Sequence, residues 1–123
     1  MTRRLQILFG FLLLLTLGSL VFAADYKESA LSWQKQAVNT RKTVVGVMDE
    51  LNKIGDKGNP DAKGLIADAQ NWLQEADKNA SQADKEMKEN SFEKASYGYN
   101  MAWQYYVKSA TAALNARRIL TGQ

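Results

Sequence analysis

The 123-residue chain contains no Cys and no His. The first absence excludes a disulfide framework, a thiol nucleophile, a covalently attached haem and a Cys-ligated zinc site. The second excludes a Ser-His-Asp triad and an imidazole base. Pro occurs once and Gly eight times, too little for a loop-rich or fibrous chain. Net charge is also scarce. Arg3 and Arg4 stand in the N-terminal segment; without them 14 Lys and Arg face 13 Asp and Glu, a net of +1. The strong basicity of a nucleic-acid binder is missing.

Other chemistries lack their signatures. No Gly-rich loop opens a helix after a strand, so nucleotide binding has no support. The loop Asp56-Lys57-Gly58-Asn59-Pro60-Asp61 does not match a calcium loop. Met48, Met87 and Met101 are soft ligands, but they fall on different predicted helices. Asn79-Ala80-Ser81 is a glycosylation sequon, a short and unspecific pattern. The expectation is a protein without catalytic residues, cofactor or metal.

One long hydrophobic run is present, at the start. Met1-Thr2-Arg3-Arg4 is basic, Leu5 to Leu20 is almost wholly apolar, and Val21-Phe22-Ala23-Ala24 ends in small residues. That order predicts a signal peptide over residues 1–23, cut after Ala23, with a domain over residues 24–123. An uncut membrane anchor is the alternative, since the run is long enough to span a bilayer. Either way Arg3 and Arg4 stay inside and the rest is exported. The expected compartment is the periplasm.

From Asp25 onward apolar residues recur at helical spacing. Helix 1, about residues 25–54, carries the stripe Ala30, Trp33, Ala37, Thr40, Val44, Val47, Leu51, Ile54. Gly55 stops it. Asn59 caps helix 2, Pro60 fits its first position and Asp61 suits its positive end. Helix 2, about 60–88, carries Ala62, Ile66, Ala69, Leu73, Ala76, Ala80, Ala83 and Met87. The Ala-rich second half buries little area and is expected to be the looser end. Helix 3, about 91–120, begins at a capping-box spacing of Asn90 and Glu93. Its stripe is Phe92, Ala95, Tyr99, Ala102, Tyr106, Ser109, Ala113, Ala116 and Leu120. The break between helices 2 and 3 lacks Gly and Pro, so one long helix is the alternative. The predicted fold is all-α, an antiparallel up-down-up three-helix bundle with coiled-coil-like packing.

Two apolar rows lie off these stripes. Leu31, Val38 and Val45 repeat every seven residues on helix 1. Either helix 1 sits centrally and buries a wide arc, or this row is a self-association surface. On helix 3, Lys94, Tyr97, Met101, Tyr105 and Lys108 line up opposite the core, and such residues suit an interface. Snorkelling over the helix surface is the plainer reading. Charge is segregated as well: residues 94–123 hold four bases and no acid, and residues 61–93 hold eight acids and four bases. Arg117 projects towards the core near the bundle end. The partner predicted from these faces is another exported protein, with a second copy of the chain as an alternative. Membrane-surface binding through helix 3 has thin support.

The segment Lys88-Glu89-Asn90-Ser91-Phe92-Glu93-Lys94-Ala95, with Ala102 beyond it, resembles the turn of helical-hairpin repeats. It is also similar to the C-terminal half of small periplasmic accessory proteins that bind the SoxXA thiosulfate-oxidising cytochrome. The Tyr- and Trp-rich last helix departs from that group. The resemblance implies an accessory role beside a periplasmic redox enzyme. The overall expectation is an exported, non-catalytic accessory or adaptor subunit. Its rivals are a binder of an apolar ligand near Trp72, Tyr99 and Trp103, and a self-associating structural protein.

Overall fold

The computed structural model describes the backbone of residues 2–122 and the side chains of residues 25–122. The expected leader and its cut after Ala23 lie outside the described side chains. The chain forms three helices, α1 (Thr2–Ile54), α2 (Pro60–Lys88) and α3 (Phe92–Thr121). The bundle runs up-down-up. Ser29 meets Ser96 and Glu50 meets Arg117, so α1 and α3 are parallel. Ala69 meets Ser109 and Asp84 meets Tyr99, so α2 and α3 are antiparallel. Within residues 25–122, whose side chains are described, no helical segment is long and apolar enough to cross a membrane.

Local chemistry sets the helix ends. Gly55, at φ 73°, closes α1 with its N–H on the Leu51 carbonyl at 2.8 Å. The Asn59 side chain then accepts from the Ala62 N–H at 3.0 Å and caps α2, whose first residue is Pro60. The α2–α3 break is real, but its expected cap is corrected. Asn90 does not cap α3. It stands at φ 60° and ends α2, with its N–H on the Met87 carbonyl and the Ser91 N–H on Glu86. Asn tolerates this left-handed conformation better than most residues, so it replaces the Gly usual after a helix. Ser91 occupies the N-cap of α3 without a side-chain capping bond.

The packing follows a seven-residue repeat. Ala62, Ala69, Ala76 and Ala83 are buried on α2, and Ala95, Ala102, Ser109 and Ala116 on α3. On α1 the matching positions are Ala30, Ala37, Val44 and Leu51. A seven-residue seam is the pattern of left-handed coiled-coil packing. Side chains this small let backbones approach. A Cβ on Gly98 would lie 3.0 Å from the Ala83 Cβ, so the Ala-rich end of α2 is closely packed. It holds the smaller of two core clusters, built on Ala30, Ala83, Ala95 and Tyr99.

The middle helix is α3, which packs along both others, while α1 and α2 approach closely at few positions. A central α1 is therefore corrected. The apolar arc of α1 is wide, but Leu31 and Val38 remain 47 % and 49 % exposed. Periodicity identifies a buried face without saying which neighbour covers it.

Candidate functional site

Because α3 is central, it presents side chains in two opposite directions. One set points into the seam between α1 and α2. There Tyr99 and Tyr106, seven residues apart and both buried, form the floor of a groove of about 250 Å³. Its walls include Gln34, Val38 and Arg41 from α1, and Asp77 and Asp84 from α2.

The groove is organised in two tiers. In the first, the Tyr99 hydroxyl donates to the Asp84 carboxylate and accepts from Gln34 Nε2 at 3.0 Å. In the second, the Tyr106 hydroxyl donates to Asp77. Arg41 grips the same carboxylate through Nε at 2.8 Å and Nη2 at 3.1 Å. Partial burial pulls the Asp77 pKa up, but the hydrogen bonds of Arg41 and Tyr106 and the guanidinium charge outweigh it. The net result lies below the ordinary carboxylate value. Burial and the neighbouring carboxylates push both phenols well above the usual tyrosine value. They are neutral donors at physiological pH. These tiers use the Gln34, Arg41, Asp77, Asp84, Tyr99 and Tyr106 side chains to fasten α1 and α2 to α3, which is structural work. Among the described residues no cluster of carboxylates is placed to hold a metal ion.

The other set points outward, and here the predicted residues can be placed. Tyr97 is 63 % exposed and meets Tyr26 of α1 in a T-shaped contact, with ring centroids 6.4 Å apart. Met101, one turn on, is 42 % exposed, and Lys94 is exposed beside them. Tyr105 does not continue this free row. It is half-buried and stacks on Trp72 of α2, with centroids 5.4 Å apart and planes at 17°. Lys108 lies over the Trp72 ring at 4.5 Å. The straight projection assigned Tyr105 to solvent because it took no account of a large ring on the adjacent helix.

Trp72, Tyr99 and Trp103, the residues of the expected ligand site, have different neighbours. Trp72 joins Tyr105, Trp103 packs on Trp33 at 5.2 Å, and Tyr99 faces the groove. Arg117 pairs with Glu50 at 3.1 Å. Leu31, Val38 and Val45 run along the open side of α1, with Val38 on the groove wall and Val45 half-buried. The two-tier tyrosine–aspartate ladder was missed from sequence. Its signal was available as two coincident seven-residue spacings, Asp77 with Asp84 and Tyr99 with Tyr106.

The chain matches no family model, no curated protein and no solved structure.

Proposed function

We propose that the chain is an exported helical accessory protein that works by contact with another exported protein and not by catalysis. One observation carries the reading. The middle helix spends Tyr97 and Met101, two side chains rich in apolar area, on solvent. Aromatic residues and Met are enriched where proteins meet. Among the described residues, by contrast, every buried polar side-chain atom has a hydrogen-bond partner. The leader expected over residues 1–23 supports export, and the lack of His and Cys supports a non-catalytic role. The hairpin resemblance makes a periplasmic redox enzyme the first partner to test.

The test is a tagged chain expressed in its host, cross-linked in the exported fraction and identified by mass spectrometry. One dominant partner is expected, and Tyr97→Ala with Met101→Ala should lose it at unchanged helicity. Recovery of the chain alone, cross-linked or not, would contradict the proposal. The same sample reads the mature N-terminus, expected at Ala24.

A further inference from the structure

We propose that the outward face of α3 docks an acidic amphipathic helix of the partner. This rests on the protein-contact reading and adds the face and the partner's chemistry. At seven-residue periodicity three adjacent columns of α3 face away from the core. They carry four exposed apolar side chains, Tyr97, Met101, Val107 and Leu114. They also carry three exposed cations, Lys94, Lys108 and Arg118, against one exposed acid, Glu93, at the first turn. From Lys94 to Arg118 the face runs about 36 Å at 1.5 Å per residue, enough for several turns of a partner helix.

Charge complementarity selects the occupant. Among the described residues none of these three cations forms an ion pair with a carboxylate. Lys108 is held over Trp72 and Tyr105 by their ring faces, with its ammonium at the edge of the exposed columns. No Asp or Glu occurs anywhere in residues 94–123. A second copy docking through the same face would set cation against cation. A broad anionic membrane would also meet α2, where exposed Asp68 and Glu75 flank Trp72 at the border of the face. A single helix, about 10–12 Å across, covers α3 without covering that acidic ridge. Its apolar stripe would lie on the four apolar side chains, with its carboxylates on the cations.

The test places the photo-cross-linking residue p-benzoylphenylalanine at Gln104, at the centre of the face, or at Val38 on α1 as a control. The full chain is expressed in its host, and captured segments are mapped and synthesised as peptides. Capture at Gln104 of one acidic amphipathic segment is expected. That peptide should bind the purified chain at least tenfold more weakly after Lys94→Glu, Lys108→Glu and Arg118→Glu together, with the helical circular dichroism unchanged. The pair Lys94→Glu and Arg118→Glu, which spares the Trp72 contact, should lose part of the affinity. Lipid or a non-acidic segment at Gln104, or binding within twofold after charge reversal, would overturn the proposal. Capture at Val38 but not at Gln104 would overturn this face and leave the protein-contact reading standing. Capture at neither position would remove both.

Discussion

Tyr106 on α3 donates its hydroxyl to Asp77 on α2, and Arg41 of α1 clamps the same carboxylate from the far side of the groove. One carboxylate thus joins all three helices. Removing it frees the guanidinium and leaves the buried phenol without its acceptor. Unsatisfied polar groups of this kind cost about 1–3 kcal/mol. The Asp77 side chain is 40 % exposed, so water replaces part of the loss. Asp77→Ala should destabilise at the low end of that range, read as a lower urea midpoint at unchanged slope.

The same tier predicts a pH dependence with two limbs. Asp77 titrates below an unfolded carboxylate, so its stabilisation is complete above about pH 4 and fades as acid takes the pH down through the folded value. Tyr99 and Tyr106 titrate above an unfolded phenol, so their contribution is present below about pH 10 and is lost as the pH rises further. Melting temperatures from pH 2 to 11 should show both limbs. Asp77→Asn should flatten the acid one, and the double variant Tyr99→Phe, Tyr106→Phe the alkaline one.

Glycines in this fold separate by location. Gly46 and Gly64 are helical and have open space where a Cβ would stand. Alanine there should stabilise by about 0.5–1 kcal/mol through helix propensity. At Gly98 the new Cβ would press on the Cβ of Ala83, which cannot swing aside. Gly98→Ala should therefore destabilise, because separating α2 from α3 costs about 1–3 kcal/mol and outweighs the propensity gain. Denaturant midpoints of the three variants check the opposite signs.

Asn90 gives a conformational test of the α2–α3 corner. Its left-handed backbone should cost about 1–2 kcal/mol in Asn90→Ala, and Asn90→Gly should be neutral or stabilising. Equal loss in both would mean that the side chain, and not the φ angle, is what matters.

Much of this architecture could be read from the residues. The stripes on all three helices recur as buried or half-buried positions, and Gly55, Asn59 and Pro60 act as their types suggest. Asn90 was misread because Asn serves at both helix ends, and only the φ angle decides between them. The place of α3 was missed because a stripe of small residues shows close packing without naming the partner. Tyr105 was misplaced for a related reason: its stacking on Trp72 depends on the register between helices, which no single-helix projection contains. Tyr97 and Met101 were legible because neighbouring helices leave them 63 % and 42 % exposed.

The central claim is that the outward face of α3, and not the open side of α1, meets the partner. The most direct measurement compares partner retention by tagged Met101→Glu and Val38→Glu chains in quantitative pull-downs from the exported fraction. Both side chains are exposed, so both variants should keep their helicity. The account predicts that Met101→Glu loses the partner and Val38→Glu keeps it. Loss with Val38→Glu and retention with Met101→Glu would contradict it.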